Sequence, residues 1–467
     1  MDWKDRWRMS AVAAAALLPL NGARAADATI EELLRRLEEQ EQKIRILERR
    51  LEIREDAEQA MKETASTVSA GPRGFSLRSA DGSSQLRLRG VLHVDGRALE
   101  DEDPAGTTDT WQATRVRPLI EGTLGGIYDF RLMPDFGQGR AVIQDAHVTA
   151  RLSPALQVTA GKFKAPVGLE RLQSATDIRF VSRAFPTSLA PNRDLGLQFA
   201  GELLGGRLNY QAAWLNGAND GGSSEAFGDA DVNDDQEYAL RLFAHPFVQG
   251  DNFLLRGLGV GIAGTWTDQT GTAAQPLLPA FRTPAGTTFF RYRAGATPTL
   301  ADGERSRLAP QFYWYAGPFG LLGEYTEVSQ DVSRATGAGT RVDTIDTRAW
   351  QLSASWFLTG EEAAFRGFQP KTRFSPGGDG WGALELVARR HELEVDQAAF
   401  AGGADSFADP AASARRATAW AVGLNWYMNE NLRWALDYER TRFDGGAAAG
   451  TDRDDENALL LRVALGF

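Results

Sequence analysis

The chain has 467 residues and a net charge of −11, from 51 basic and 62 acidic side chains, and it contains no cysteine. The lack of cysteine excludes disulfide bonds and thiolate metal sites. A mean hydropathy of −0.33, with no run of about 18 apolar residues, argues against transmembrane helices. A chain of this length has room for two or three ordinary domains or for one large barrel.

The N-terminus is typical of a secretory signal peptide over residues 1–25. A basic stretch precedes the apolar segment SAVAAAALLPL, and Ala23–Ala25 forms a small-x-small cleavage motif. We therefore expect export and a mature chain that starts at Ala26. The alternative is an amphipathic or buried first helix. The basic residues are Lys4, Arg6 and Arg8.

Residues 26–62 predict a helical coiled coil, because apolar residues recur in a heptad a/d pattern. The a positions are Ile30, Leu37, Ile44 and Leu51, and the d positions are Leu33, Gln40, Leu47 and Arg54. The two polar d residues weaken the seam, and a single solvated helix is the alternative. The segment STVSAGPRG then ends the helix, so residues 63–84 are expected to be a linker and the entry to the next domain.

From residue 85 onward the sequence alternates with period two, which indicates β-strands whose two faces meet different surroundings. In LRLRGVLHVDG one face carries Leu86, Leu88, Leu92 and Val94, and the other carries Arg87, Arg89, His93 and Asp95. The same alternation recurs in Trp420–Met428, Leu432–Tyr438 and Leu459–Phe467. A soluble sandwich would also alternate. Strands of about ten residues with aromatics near their ends favour a membrane barrel.

The connections between strands alternate between short and long, which is typical of such a barrel. Seven turns and eight loops predict an all-β fold, a 16-stranded antiparallel transmembrane barrel over residues 85–467. The turns are expected at 125–126, 153–155, 205–206, 245–255, 316–318, 359–380 and 429–430. The loops are expected at 100–110, 137–140, 166–193, 217–236, 268–304, 329–343, 396–415 and 444–455. An even strand count returns both termini to the periplasmic side.

No motif points to an enzyme, a cofactor or a nucleic-acid partner. The four histidines are scattered and form no metal-ligand spacing, and neither a nucleophile elbow nor a phosphate-loop lysine motif occurs. The histidines are His93, His147, His245 and His391.

The segment Asp220–Glu237 begins like a calcium-binding EF-hand loop. The sequence has Asp234 and Leu240 where that loop needs glycine and glutamate. A solvated surface loop is expected, with loose divalent-cation binding as the alternative.

The third long connection, 166–193, is expected to fold into the barrel, because it carries many apolar residues that need a surface to pack on. Between Arg151 and Arg193 the chain has seven basic and two acidic residues, so this fold would point positive charge into the pore. The predicted anion pathway consists of Arg87, Arg89, Arg115, Arg117, Lys162, Lys164, Arg171, Arg179, Arg183 and Arg193. For each arginine the alternative is a salt bridge with a lumen acid such as Glu121 or Asp145.

Lys162 and Lys164 have the same parity as Leu156 and Ala160, on the expected lipid face. Either a bulge at Gly161 switches the phase, or both lysines lie above the membrane boundary.

Several segments resemble the phosphate-selective porin O and P family. These are GKFKAPVGLERLQSATDIRFVSRAFPTSLAPNRDLGLQ, LRLRGVLHVDG, LRLFAHPF and GDGWGALELVARR. The resemblance covers about residues 74–467 and implies an outer-membrane homotrimer with the third loop inside each pore and a periplasmic coiled coil. It also implies contact with outer-membrane lipid and the barrel-assembly machinery, whose recognition signal the terminal Phe467 resembles.

The function expected from these observations is passive diffusion of small anions, including phosphate or other oxyanions. Phosphate-specific members use many lumen lysines, whereas this chain has only Lys162, Lys164 and Lys371 beyond the predicted coiled coil. The alternatives are a porin for other solutes, with its arginines neutralised by lumen acids, and a structural tether that acts through the coiled coil.

Overall fold

The computed structural model describes residues 25–100, 107–229 and 234–467. The predicted signal peptide, except for Ala25, lies outside these residues. The chain divides into two units between Ala65 and Ser66.

The first unit is one helix, α1, at Ala25–Thr64. Its predicted heptad residues are exposed along one chain, with Leu33 61% and Leu47 59% exposed. A coiled coil needs further copies of the helix, so both the coiled coil and its trimeric form stay predictions. Among the described residues, no helix is long and apolar enough to cross a membrane.

The second unit is a closed antiparallel barrel, with the 16 strands that the sequence predicts. Its strands are β3 Gln85–Leu99, β4 Thr110–Leu124, β5 Tyr128–Asp135, β6 Val142–Ser153, β7 Leu156–Phe163, β8 Asp194–Leu203, β9 Leu208–Leu215, β10 Glu237–Ala244, β11 Leu258–Thr270, β14 Thr299–Ala316, β15 Phe319–Thr336, β16 Gly339–Phe357, β17 Ala383–Val395, β18 Ala414–Tyr427, β19 Leu432–Gly445 and β20 Glu456–Gly466. The last strand closes the barrel on the first, with Val463 opposite Val94.

Two further hairpins and several short turns accompany the barrel. The hairpin β1 Thr67–Gly71 with β2 Gly74–Arg78 pairs onto β3, within the segment that the sequence predicts as a linker. The hairpin β12 Ala280–Arg282 with β13 Thr288–Arg291 lies in the connection from β11 to β14. The short helices are α2 Leu169–Leu172 and α3 Phe253–Arg256, and the 3-10 turns are Gly137–Gly139, Phe185–Ser188, Leu204–Gly206, Ser224–Phe227, Gln397–Phe400, Gly403–Asp405 and Ala448–Gly450.

Burial along the strands is the reverse of that in a soluble protein. On β19, Trp434 and Leu436 are 39% and 42% exposed, whereas Arg433 and Asp437 are 4% and 1% exposed. Successive side chains point to opposite faces of a strand, so the outer face is apolar and the inner face is charged. This pattern fits a barrel whose outside meets lipid and whose inside holds polar groups.

One predicted loop is wrong. The sequence predicts a long connection over 329–343, but β15 continues to Thr336 and β16 begins at Gly339. Both strands extend past the band of apolar outer residues because their inward side chains Val332 and Ile345 join a large buried apolar cluster. That packing overrides a composition that is typical of a polar loop.

This apolar cluster occupies the end of the barrel that carries the long connections. It joins the aromatic residues of the β12–β13 hairpin to Phe185 and to the inner faces of β15 to β19. The buried aromatic side chains are Phe185, Phe281, Phe289, Phe290, Tyr292, Phe407 and Phe443. The cluster fills the lumen along these strands and leaves space beside β3, β4 and β20.

Candidate functional site

The third long connection folds into the barrel, and its apolar residues anchor it there. We call residues 164–193 the inner loop. Val167 and Ala190 pack in a cluster with wall residues of β11 and β14, and Leu169 packs in another with Phe243 and Leu322. Leu169 and Leu189 are fully buried. These contacts join apolar residues of the inner loop to side chains of the barrel wall.

Ion pairs hold the inner loop near its middle and at its C-terminal end. Arg179 Nε lies 2.8 Å from Glu385 Oε1, and Arg193 Nε lies 3.0 Å from Asp145 Oδ1. Arg179 also donates to the Ala364 carbonyl at 2.8 Å. These two arginines act as clamps, which is the alternative role considered for them, and Arg179 does not present a free charge to the pore.

The wall also reaches toward the backbone of the inner loop. Arg433 donates to the Ile178 carbonyl at 2.7 Å, and the Val181 N–H donates to Asp437 at 2.6 Å. Buried backbone groups need such partners because unpaired ones are costly. The loop is therefore positioned by the wall and not only by its own packing.

A cavity of about 750 Å³ lies between the inner loop and the strands β3, β4 and β20. We call it the basic cavity, because six arginines line it. Two of them are neutralised: Arg117 lies 2.7 Å from Asp135, and Arg462 pairs with Asp95 at 2.6 Å. The six are Arg115, Arg117, Arg140, Arg171, Arg183 and Arg462.

Arg140 is exposed and donates to the Gln138 side chain at 3.1 Å. The other three arginines of the basic cavity also have neutral partners. Arg115 contacts His93 Nδ1 at 2.9 Å, Arg183 donates to the Gln173 carbonyl at 3.2 Å, and Arg171 donates to the Thr187 carbonyl. Among the described residues, none of the three guanidinium groups has a carboxylate within 4.0 Å. Their charges are therefore available to an anion in the cavity.

The positive charges of the inner loop also repel one another. Burial and then the positive charges of Arg183 and Arg193 lower the pKa of Arg171 to about 9. Burial likewise lowers the pKa of Arg183 to about 10, although the nearby Glu170 raises it in part. Both groups remain protonated at neutral pH, and an anion between them would relieve their repulsion.

Several predicted pathway residues lie away from the basic cavity. Arg87 and Arg89 lie 3.6 and 3.3 Å from Glu121, and neither lines the cavity. Lys164 donates to the Gln173 carbonyl at 2.6 Å. It supports the inner loop rather than lining the cavity.

Lys162 is also absent from the cavity lining. Pairing between β6 and β7 runs through Gly161 without a shift, so the suggested bulge is not present. Lys162 keeps the phase of Ala160 and is 2% exposed, 2.6 Å from Asp229 in the connection from β9 to β10. The lysine is thus covered by that connection rather than open to the ion path.

The acidic segment Asp220–Glu237 is not simply a solvated loop. Glu237 is fully buried and pairs with Arg305 at 2.9 Å and with Arg307, and Asp220 lies 2.6 Å from Arg307. Residues 230–233 lie outside the described part. Within the described residues no group of three acidic, histidine or cysteine side chains could hold a metal ion.

The sequence analysis missed two important arginines. Arg462 lies among apolar residues in LLLRVALGF, and Arg433 lies in LRWALDYER. Both fall on the inward phase of their strands, so the alternation that identified the barrel could also have identified them.

The barrel and its sequence are similar to known outer-membrane proteins. A family model described as phosphate-selective porin O and P matches residues 86–467. The outer membrane channel DcaP of Acinetobacter baumannii is similar in structure, with a TM-score of 0.52 at 11% identity, covering 84% of this chain and 99% of that one. This likeness shows a shared fold.

Two further solved structures give lower scores. Outer-membrane expressed OmpT of Vibrio cholerae has a TM-score of 0.49 at 12% identity and covers 82% of this chain and 98% of that one. An anion-selective porin from Comamonas acidovorans has a TM-score of 0.47 at 12% identity, covering 82% of this chain and 100% of that one. No curated protein matches the sequence.

Proposed function

Because the chain belongs to the phosphate-selective porin O and P family, and is therefore an outer-membrane channel protein rather than an enzyme, we propose that it conducts small anions by passive diffusion through the basic cavity. The observation that carries this proposal is the set of three guanidinium groups, on Arg115, Arg171 and Arg183, that line one cavity and have no carboxylate within 4.0 Å in the part of the chain that the structure describes. The family and the barrel support the channel. The arginines support the preference for anions.

The preference for anions must come from charges inside the pore. The whole chain has a net charge of −11, so its overall field does not gather anions. Fixed positive groups at a constriction can instead replace part of the hydration of a passing anion. Inside the barrel the effective dielectric constant is lower than in water, so these groups act more strongly there than at an exposed surface.

The chemistry of arginine favours oxyanions among the candidate solutes. A guanidinium group presents a planar fork of donors that matches the oxygens of phosphate or carboxylate. Two forks on the inner loop and one on β4 could contact one oxyanion from different sides. Phosphate is therefore proposed as one permeating or blocking anion, together with other small oxyanions.

The assembly is proposed from the same family membership. We propose a homotrimer of barrels in the outer membrane, with α1 of each copy in the periplasm and the three helices forming a coiled coil. The exposed apolar heptad residues of α1, such as Leu33 and Leu47, support self-association because an exposed apolar stripe gains stability when a partner covers it.

Recordings from purified protein in planar bilayers test the proposal directly. A KCl gradient should give a reversal potential displaced toward the chloride equilibrium potential, and added phosphate should reduce the chloride current. Absence of conductance would reject the channel. Conductance with a reversal potential displaced toward potassium would reject the anion preference and leave the channel intact.

A further inference from the structure

A second cavity of about 450 Å³ lies on the opposite side of the inner loop, at the end with the short connections. The two cavities follow one another along the same wall, because their lining residues occupy successive inward positions. Arg117 on β4 and Arg462 on β20 line the basic cavity. Leu119 and Ala464, each two residues further along the same strands, line the second cavity. The second cavity therefore follows the basic cavity along the inner wall of these strands.

The lining of the second cavity differs in kind from that of the basic cavity. Aromatic rings supplied by the β16–β17 connection and adjacent strands form one side, and we call this the aromatic cavity. Phe368 stacks on Phe357 with ring centroids 4.4 Å apart, and it lies 4.5 Å from the ring of Tyr427. Phe365 stacks on Tyr313 at 4.8 Å. The aromatic residues that line the space are Phe357, Phe365, Phe368, Tyr427 and Phe467.

Positive charge lies beside these rings. Arg433 is 4% exposed and lines the cavity, and its guanidinium carbon lies 5.6 Å from the centroid of the Tyr427 ring. Arg73 also lines the space and has no carboxylate within 4.0 Å among the described residues.

The other charged groups of the lining are largely satisfied. Arg179 pairs with Glu385 at 2.8 Å, and Arg89 lies 3.3 Å from Glu121. The two acids of the lining are Asp177, which accepts from Thr176 at 3.1 Å, and Glu430, which pairs with Arg373. Arg73 and Arg433 have no carboxylate within 4.0 Å among the described residues, and Asp177 has no basic partner within that distance, so one positive charge is left over next to the aromatic faces.

We propose that the aromatic cavity is a binding site for anions that carry a flat apolar body, such as aromatic carboxylates and sulfonates. An acidic group would accept from Arg73 and be attracted by the nearby charge of Arg433, while the ring would pack against Phe368 and Tyr427. A volume of about 450 Å³ lies within the usual range of small-molecule sites, which combine apolar walls with a few placed polar groups. This inference rests on the proposed channel function, and it adds a class of solute that the basic cavity alone would not select.

Two sulfonates that differ only in the organic group attached to the sulfonate provide the test. Methanesulfonate and benzenesulfonate are both fully ionised at neutral pH, so only the ring distinguishes their block of the chloride current. For the wild-type channel we expect half-block by benzenesulfonate at a concentration about tenfold lower than by methanesulfonate. Tenfold corresponds to about 1.4 kcal/mol.

Two matched variants locate the site. Phe368→Leu removes a ring of the cavity and should reduce the tenfold difference to about threefold or less. Phe374→Leu removes a ring from the same connection that packs on Trp426, at 5.0 Å, outside the cavity lining, and it should leave the difference unchanged. Arg73→Gln should weaken block by both sulfonates, because both need the cation.

The outcomes separate this inference from the proposed function. Channels that conduct chloride but are blocked equally by the two sulfonates would overturn the aromatic site and leave the anion channel standing. A wild-type preference that survives Phe368→Leu would also overturn it, since the ring would then be recognised elsewhere. Protein that inserts but does not conduct would reject the channel itself.

Discussion

Replacing Arg183 by glutamine should reduce the preference for anions and leave the barrel folded. Arg183 lines the basic cavity, and its contacts are to the carbonyls of Glu170, at 3.3 Å, and Gln173, at 3.2 Å. Glutamine keeps donors that could reach these carbonyls but removes the charge. The substitution therefore tests the charge with little change in packing.

The size of the effect follows from Coulomb's law. Two unit charges about 4 Å apart attract by about 1 kcal/mol in water and by about 4 kcal/mol at an effective dielectric constant of about 20. The cavity is open to solvent and salt screens part of the field, so about 1 to 2 kcal/mol is the relevant range. This corresponds to roughly a 5- to 30-fold fall in the chloride-to-potassium permeability ratio.

The reversal potential in a KCl gradient measures that ratio. Arg282→Gln is the matched control, because Arg282 is an exposed arginine of β12 outside the cavity, and it should leave the potential unchanged. Heat-modifiable migration on a gel checks that each variant forms a barrel. A wild-type reversal potential in Arg183→Gln, and again in Arg171→Gln, would refute the assignment of selectivity to these charges.

Four other predictions concern the inner loop and the two ends of the chain. Arg179→Gln leaves the buried Glu385 without its ion pair, so the loop should loosen and single-channel conductance should rise with little change in selectivity; an altered selectivity at constant conductance would contradict the clamp. Deleting Phe467 removes backbone hydrogen bonds that close the barrel on Gly90 and should lower the yield of heat-modifiable barrel; an unchanged yield would remove this role. A peptide of residues 27–62 should gain helicity with concentration and cross-link as trimers, whereas exclusively monomeric cross-linking would leave α1 a solvated helix. Mass spectrometry should find a mature start near Ala26, and an intact Met1 would reject export.

The barrel could be predicted from sequence because apolar and polar residues alternate along each strand, and this alternation shows that the two faces of the strand meet different surroundings. Trp434 lies on the outer face and Arg433 on the inner face, and the two side chains need different environments. They are adjacent in the sequence. The ends of strands are harder to predict. In SQDVSRATGAGTRVD the composition is that of a loop, but Val332 and Ile345 find apolar partners that lie far away in the sequence.

The roles of the arginines could not be predicted in the same way. Arg179 and Arg183 are four residues apart in one segment that alternates apolar and basic residues, and local pattern predicts the same role for both. The fold brings Glu385, about two hundred residues away along the chain, against Arg179. Among the described residues, it brings no carboxylate within ion-pair distance of Arg183. An arginine either holds the inner loop through an ion pair or leaves its charge in the basic cavity. Which of the two occurs depends on contacts with residues far away in the sequence, and local sequence pattern does not show these contacts.

This division of roles also explains why the inner loop can be rich in arginine rather than lysine. The clamp at Arg193 needs directed donors, because its Nε bonds Asp145 and its Nη1 bonds Asn192 at once. A lysine ammonium group is a compact point charge on a flexible stem and cannot hold such a geometry as firmly. Arginine therefore serves both purposes in one loop: where a wall acid faces it, it fixes the backbone, and where no acid faces it, the same group leaves a positive charge in the basic cavity. The wall acids, by their placement, determine which arginines an anion meets.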